Sequence, residues 1–118
     1  MLLKPPSPGD KILIYRPEYL QLVLGGAQTL EIRGRPFRSG VYYLGSRGQI
    51  YAQARLGAPY PIHTMRDFVR TKRQHKIGGT SLPYLKTFAI PILELSPLSV
   101  RYRHPRGAIT IVRYRSCV

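Results

Sequence analysis

Short apolar or alternating stretches, separated by glycine and proline, constrain the fold of this chain more than any other feature. The 118 residues include 11 glycines and 11 prolines. Pro91 and Pro97 lack backbone donors and therefore predict an edge strand or a bulge in their region. Many short strands with Gly/Pro turns favour a small β-barrel over an α/β sheet. The candidate strands are Lys11–Tyr15, Thr29–Arg33, Val41–Leu44, Gln49–Leu56, Phe88–Leu95 and Ala108–Tyr114.

A first short helix is predicted directly after the first strand. Pro17 suits the first turn of a helix, where its missing N–H costs little. Residues Glu18–Leu24 place four apolar side chains on one helical face. Gly25 and Gly26 then end the helix, because glycine tolerates the left-handed conformation of a C-cap.

A second helix is predicted in the middle of the chain, over Thr64–Lys72. Thr64 and Asp67 have the spacing of a capping box, with aspartate in place of the usual glutamate. The predicted apolar face carries Met65, Phe68 and Val69. With the strands, the two helices predict a mainly β fold with short helices (α+β).

The length of 118 residues corresponds to one domain. We expect an extended, proline-rich lead-in over residues 1–10 and a single domain over residues 11–115. The one cysteine, Cys117, cannot form a disulfide within the chain, and no Cys/His spacing resembles a zinc site. The first residues lack the apolar core of a signal peptide, and no apolar run approaches the roughly 18 residues that span a bilayer. The expectation is therefore a soluble intracellular protein, cytoplasmic or nuclear, without a metal or cofactor.

Positive charge is the outlying property of the composition. Nineteen Lys and Arg against five Asp and Glu give a formal net charge of +14. The excess is +3 over residues 1–39, +6 over 40–76 and +5 over 77–118, which is typical of a basic domain rather than a basic tail. Such a charge favours a nucleic acid, an anionic membrane or an acidic protein as partner. Neither helix combines a long apolar face with a basic flank, which argues against a membrane.

The segment Gly26–Arg33, GAQTLEIR, carries the most informative motif. It follows the first helix and opens a strand, and it resembles the GxKxxExR signature of the ASCH family, a PUA-like β-barrel fold associated with RNA metabolism. Gly26, Glu31 and Arg33 keep three of the four fixed positions. Gln28 occupies the position of the motif lysine.

Two flanking stretches extend the resemblance over roughly residues 11–114. The strand-to-helix transition Ile14–Tyr19, with its proline, is similar to that of the family, and Phe88–Ile109 is similar to its closing strands and glycine turn. The resemblance implies a PUA-like small β-barrel with a helix after the first strand and a second helix mid-chain. It also implies a nucleic-acid-binding module, for RNA more than for DNA.

The resemblance raises an enzymatic alternative. Some bacterial relatives are amidohydrolases that deacetylate acetylated cytidine with a Lys/Thr/Glu triad, whose lysine and threonine fall at Gln28 and Glu31. Another relative is reported as a ribonuclease. A glutamine can serve neither as a base nor as a cationic donor, and Asp67 and Glu94 are the only acids after Glu31. A binding module is therefore favoured over an enzyme, and Thr29 and Glu31 are the candidates if there is catalysis.

The strand Thr29–Arg33 is the candidate pocket. Thr29, Glu31 and Arg33 alternate with two apolar residues, so a hydroxyl, a carboxylate and a guanidinium are predicted on one face. Such a face can contact a base edge or a phosphate, with Gln28 adding a donor and an acceptor. Glu31 can orient Arg33 by a bidentate bond. The alternative is a purely structural ion pair.

Arginines elsewhere extend the candidate surface. Three of them lie at helical spacing in Thr64–Lys72 and beyond, where they can follow a phosphate backbone or simply face solvent. Docking to an acidic protein remains a further alternative. Tyr43 and Tyr60 flank turns and are candidates for base stacking. The predicted nucleic-acid contacts are Arg16, Gln28, Thr29, Glu31, Arg33, Arg35, Arg38, Arg66, Arg70, Arg73 and Arg106.

Overall fold

The computed structural model describes residues 5–107 and 110–115. Cys117, the first four residues of the predicted lead-in, and the start of the last predicted strand lie outside the described residues. The strands are β1 (Lys11–Ile14), β2 (Leu30–Arg33), β3 (Gly40–Ser46), β4 (Gln49–Leu56), β5 (Tyr60–Ile62), β6 (Thr87–Arg103) and β7 (Ile111–Arg113). The helices are α1 (Pro17–Leu24), α2 (Met65–Arg70) and α3 (Lys72–His75).

The strands form one curled sheet in the order β2-β6-β4-β3-β1-β7, with β5 also paired to β6. β1 and β3 are parallel neighbours, whereas all the other pairs are antiparallel. The 17-residue strand β6 pairs with β2 and β5 in its first part and with β4 in the remainder. Register shifts between β4 and β6 adjoin both Pro91 and Pro97, as the prolines predicted. The predicted fold class, mainly β with short helices in a small half-closed barrel, is confirmed.

The main core lies between the sheet and α1. Leu20 and Val23 on the predicted apolar face of α1 are buried against strand residues such as Leu13 and Leu44. Pro17 stands in the first turn of this helix, and Gly25 is its C-cap. This packing fixes the end of β1 and α1 against the sheet.

The predicted second helix is two helices, which corrects its bounds. α2 begins after Thr64, whose Oγ1 accepts a hydrogen bond from the Asp67 amide at 3.2 Å, as the capping spacing predicted. α2 ends at Arg70 and α3 begins at Lys72. Thr71 between them donates its hydroxyl to two carbonyl oxygens of α2, each at 3.1 Å. Hydrogen bonds of this kind compete with the helical ladder and tend to bend helices.

The apolar face of α2 is narrower than predicted. Phe68 is buried and Met65 is half-buried against a second core cluster that includes Ile32 of β2 and Ile62 of β5. Val69, predicted on the same face, is 57% exposed. The core contact of α2 therefore depends chiefly on Phe68.

His75 completes this contact although no sequence pattern assigned it a role. Its ring is fully buried and stacks on Phe68, with ring centroids 4.2 Å apart. Nδ1 accepts from the Ile77 amide at 2.9 Å, and Nε2 lies 2.8 Å from the Phe68 carbonyl oxygen. These partners require a neutral imidazole protonated on Nε2. Burial lowers the pKa of His75 accordingly.

We expect the free energy of unfolding to decrease as the pH falls below about 6.5, the usual histidine pKa. The lowered pKa of folded His75 means that the unfolded chain binds more protons between that pKa and about 6.5. The contribution of the neutral ring is fully present above this window and is lost as the pH falls through it. Urea unfolding at a series of pH values measures the slope. His75→Gln should make this slope shallower. The control His63→Gln, at an exposed histidine, should leave it unchanged. Equal slopes in the wild type and both variants would contradict the assignment of the pH dependence to His75.

Candidate functional site

A cavity of about 740 Å³, the first cavity, opens between the end of β1, the start of α1, β2 and the loop before β6. Its lining includes five polar side chains from the predicted site, and it adds three tyrosines. The predicted residues are Arg16, Gln28, Glu31, Arg33 and Arg35, and the tyrosines are Tyr15, Tyr19 and Tyr84. The structure therefore brings the core of the predicted motif into one concave surface.

The turn after α1 places Gln28 in the wall of this cavity. Gly26 has φ 78°, a left-handed conformation that favours glycine. The amides of Ala27 and Gln28 then both donate to the Leu22 carbonyl, at 2.9 and 3.0 Å. Gln28 is only 2% exposed, and its Nε2 donates to the Leu30 carbonyl at 3.2 Å. This bond fixes the amide orientation and leaves Oε1 as a buried acceptor without a partner among the described residues.

Glu31 and Arg33, two residues apart on β2, form an ion pair inside the cavity wall. Arg33 Nε donates to Glu31 Oε1 at 3.1 Å, a single contact rather than the bidentate bond expected from sequence. Arg33 Nη2 donates to the Ile14 carbonyl at 2.9 Å, and its guanidinium carbon lies 5.0 Å from the centre of the Tyr15 ring. Arg33 is therefore held on three sides, with Nη1 making no described bond. Glu31 is 5% exposed, and its Oε2 is a second buried acceptor without a described partner.

Tyr15 supplies a third buried polar atom. Its hydroxyl lies beside the Glu31 carboxylate and the Arg33 guanidinium, close enough to interact with both, although neither contact has ideal hydrogen-bond geometry. Burial, and next the nearby Glu31 carboxylate, raise the pKa of Tyr15 well above its usual value. The hydroxyl therefore keeps its proton at neutral pH and can donate to a ligand.

Unsatisfied buried polar atoms concentrate at this cavity. Four such side-chain atoms occur in the described part of the chain, and three belong to Tyr15, Gln28 and Glu31, which all line it. Each unpaired group costs about 1–3 kcal/mol when buried, so native proteins rarely leave one without a partner. The cavity wall thus presents polar atoms to which a molecule entering the cavity can bond.

The charge of the lining favours an anionic ligand. The described lining contains three arginines, Arg16, Arg33 and Arg35, and a single acid, Glu31. Arg16 and Arg35 are exposed, so they lie on the solvent side of the cavity. The inner wall is thus rich in acceptors and the outer part is rich in cations.

Thr29 and Arg38 lie outside the first cavity. Thr29 precedes β2 and is exposed, its amide bonded to the Gln74 carbonyl and its carbonyl to the Ile92 amide. The predicted polar face is therefore corrected to Glu31 and Arg33. Arg38 is exposed, and its carbonyl accepts from a tyrosine hydroxyl.

The arginines of the second predicted helix lie on two separate helices. Arg66 and Arg70 are on α2 and Arg73 is on α3, beyond the break at Thr71. All three are exposed, and Arg70 lies 4.0 Å from the Asp67 carboxylate. None of them lines the first cavity.

The tyrosines singled out from sequence lie elsewhere. Tyr43 is buried in a third core cluster, and Tyr60 is largely exposed on β5. In the two Arg-Tyr-Arg triplets, Tyr102 and Tyr114 pack against that same cluster, while Arg101 lies over the Tyr51 ring at 4.7 Å. Tyr43, Tyr102 and Tyr114 therefore serve packing, and neither they nor Tyr60 line the first cavity.

Several lining residues were missed because no local pattern marks them. Tyr15 and Tyr19 fall in the strand-to-helix transition, where the family resemblance was the one available signal. Tyr84 comes from the loop before β6, and its ring lies so close to Gly34 that a Cβ there would approach it to 3.0 Å. Only the folded chain brings that loop to β2.

A smaller, more open cavity of about 360 Å³, the second cavity, contains the remaining predicted residue, Arg106. Its lining also includes Arg47 and His104, neither of which was assigned to the site. His104 is buried, and its Nε2 accepts from the Gly48 amide at 3.0 Å. The ring thus holds the turn between β3 and β4.

The described residues contain neither a cluster of metal ligands nor a helix that could span a membrane. No group of three or more His, Cys, Asp or Glu side chains there could hold a metal ion. No helix in the described ranges has the length and apolar character needed to cross a membrane.

Comparison with known proteins identifies the fold. No protein-family model matches the sequence, and no curated protein gives a significant match. A solved structure of a serine-to-alanine variant of ZmASCH from Zymomonas mobilis is similar over 93% of this chain and 91% of that chain, with a TM-score of 0.73 and 14% sequence identity. At this identity the likeness concerns the fold, and it agrees with the residues that resemble the ASCH signature. The chain therefore has the fold of an ASCH domain.

Proposed function

We propose that the chain is a nucleic-acid-binding module, for RNA before DNA, that holds one unpaired nucleotide in the first cavity. The observation that carries this proposal is the convergence of three buried polar side chains, Tyr15, Gln28 and Glu31, and three arginines on one cavity. The ASCH-domain fold supports an RNA-binding or related domain. The net charge of +14 supplies the electrostatic attraction that phosphate binding requires.

The inner wall suits a nucleobase. Gln28 Oε1 and Glu31 Oε2 are acceptors, so the ligand must present hydrogen-bond donors such as exocyclic amino or ring N–H groups. Arg33 offers its remaining donors to a neighbouring carbonyl or ring nitrogen of the same edge. Such an edge is accessible only when the base is unpaired, which is how sequence-specific RNA recognition usually works. A volume of about 740 Å³ lies within the usual range of small-ligand sites.

The outer part suits the sugar and phosphate. Arg16 and Arg35 are exposed there, and guanidinium groups bind phosphate oxygens in a bidentate manner. Tyr19 and Tyr84 also line the cavity and offer aromatic surface against which a base can stack. The arrangement thus combines base contacts with phosphate contacts, which supply specificity and position respectively.

Binding of a fluorescein-labelled ten-nucleotide single-stranded RNA tests the proposal. We expect binding at 50 mM salt and a linear fall of the logarithm of the association constant with the logarithm of salt concentration. For single strands the slope is about −0.7 per neutralised phosphate, so four contacts give about −3. Fluorescence anisotropy measures both.

Three competitors sharpen the same measurement. Duplex RNA should compete less well than the single strand, because pairing hides the base edge. Single-stranded DNA of the same sequence should compete less well than RNA if the module prefers RNA. Polyglutamate of equal charge should compete poorly. No binding at low salt, or displacement by polyglutamate as effective as by RNA, would contradict the proposal; the latter result would point to an acidic protein partner.

A further inference from the structure

The two cavities adjoin at the end of β1. Ile14 lines the first cavity beside Tyr15 and also lines the second beside Arg47 and Arg106. Among the described residues the two cavities share Ile14, so a polymer held in the first cavity can continue past this residue into the second. No residue of α2 or α3 lines either cavity in the described part of the chain.

Arg106 is fixed within the second cavity. Its Nη2 donates to the Arg47 carbonyl at 3.1 Å. Its side chain also packs over Gly48, where a Cβ would come within 2.8 Å of Nε. Gly48 has φ 84°, so the turn needs glycine for conformation as well as for space. Arg106 is thus positioned before any ligand arrives.

Arg47 and Gly48 form the two-residue turn between β3 and β4. Their φ values of 51° and 84° are both positive, as a type I′ hairpin turn requires. The Gly48 amide donates to His104, so the turn is tied to the distant segment that carries Arg106. The hairpin therefore sets the position of Arg47.

The second cavity offers cations without a compensating acid. No carboxylate is part of its described lining, and neither Arg47 nor Arg106 belongs to a described ion pair. The donors that these guanidinium groups keep are therefore available to an anion. Its open shape suits a phosphate–sugar backbone better than an enclosed base.

We propose that the second cavity binds the backbone of the nucleotide next to the one in the first cavity. The bound strand then runs from Arg33 across Ile14 to Arg47 and Arg106, rather than towards the arginines of α2 and α3. This route rests on the proposed function, because it requires a nucleotide in the first cavity. It assigns to the chain a binding site of two nucleotides and a path between them.

A double variant tests the route by comparing a polymer with a monomer. Arg47→Asn combined with Arg106→Gln removes both guanidinium groups, and asparagine tolerates the left-handed backbone at position 47. We expect the affinity for the ten-nucleotide single-stranded RNA to fall about 10- to 100-fold and its salt slope to become shallower by about 1.4, twice the single-strand value per phosphate. The affinity for nucleoside 5′-monophosphates, measured by calorimetry, should stay within about twofold of the wild-type value.

The matched control removes two charges from the other surface. Arg66→Gln combined with Arg73→Gln should lower the RNA affinity less than threefold, roughly what loss of diffuse attraction gives. The route is wrong if this control weakens RNA binding as much as the test variant does, or if the test variant leaves RNA binding unchanged. It is also wrong if monophosphate and RNA affinities fall together.

Thermal unfolding of both double variants shows whether they fold. Arg106→Lys serves as a milder second variant. We expect it to cause about half of the loss in RNA affinity that the test variant causes, because lysine binds phosphate as a point charge.

These outcomes separate the route from the proposed function. Wild-type protein that binds no RNA overturns both. Wild-type protein that binds RNA, together with a test variant that binds it equally well, overturns the route alone.

Discussion

Replacing Arg33 with alanine should weaken binding of the ten-nucleotide single-stranded RNA about 10- to 100-fold, since hydrogen bonds to charged groups contribute about 1.5–3 kcal/mol. The same change should lower the free energy of unfolding by about 3 kcal/mol. The reason is that Arg33 pairs with Glu31, which is 5% exposed, and its removal leaves a buried carboxylate uncompensated. Anisotropy measures the first effect and urea unfolding the second.

A double variant separates these two effects. Arg33→Ala with Glu31→Ala removes both charges, so we expect the double variant to recover much of the stability lost in Arg33→Ala. Its RNA affinity should remain low, because both ligand-binding groups are gone. Arg103→Ala removes the same single charge at an exposed position and should change RNA affinity less than threefold. Wild-type RNA affinity in the folded double variant would show that the pair is structural alone.

The elements that sequence predicted well are those whose ends depend on nearby residues. α1 begins at Pro17 and ends before Gly25, as predicted. Each of these residues restricts or frees the backbone angles at its own position, so its effect does not depend on distant contacts. The alternation of β2 likewise placed Glu31 and Arg33 together. The two interpretations of this pair, pocket wall and ion pair, both describe the structure, since the pair lines the cavity and is held by its own contact.

The region after β5 was harder to predict because tertiary contacts decide it. The pattern over Thr64–Lys72 fits one helix, but the Thr71 hydroxyl bonds to carbonyls of α2 and α3 follows as a separate turn. The burial of His75 depends on its stacking with Phe68. β5, Tyr60–Ile62, pairs with β6 although it contains a proline. Because proline argues against a strand, the sequence pattern did not predict this one.

The candidate site was predictable mainly in its central motif, with Arg16 and Arg35 on either side of it. Gln28, Glu31 and Arg33 lie within one short segment, so the resemblance to the ASCH signature could mark them together. Tyr84 and Arg47 come from a loop and a turn with no periodic pattern, and their place depends on how the sheet curls. Thr29 shows the opposite error, because its position in the motif did not bring it into the cavity.

Replacing Phe68 with alanine should lower the free energy of unfolding by about 3–5 kcal/mol, the usual cost for a buried phenylalanine. Phe68 is 1% exposed and is the main link between α2 and the cluster that contains Ile32 of β2. It also stacks on His75 and accepts that ring's hydrogen bond through its carbonyl. Because Ile32 lines the first cavity, loss of this packing should also loosen the wall that holds Glu31 and reduce RNA affinity.

The neighbouring residue provides the control. Val69→Ala removes apolar atoms from the position that sequence placed on the same face, but Val69 is 57% exposed, so the change should cost less than about 0.5 kcal/mol. Urea unfolding followed by circular dichroism measures both variants under one set of conditions. A cost for Val69→Ala equal to that for Phe68→Ala would restore the wider apolar face that the sequence predicted. We instead expect the two variants to differ strongly in the free energy of unfolding. A short helix such as α2 is stabilised by tertiary packing rather than by its own length, so its one buried side chain contributes most of that stability.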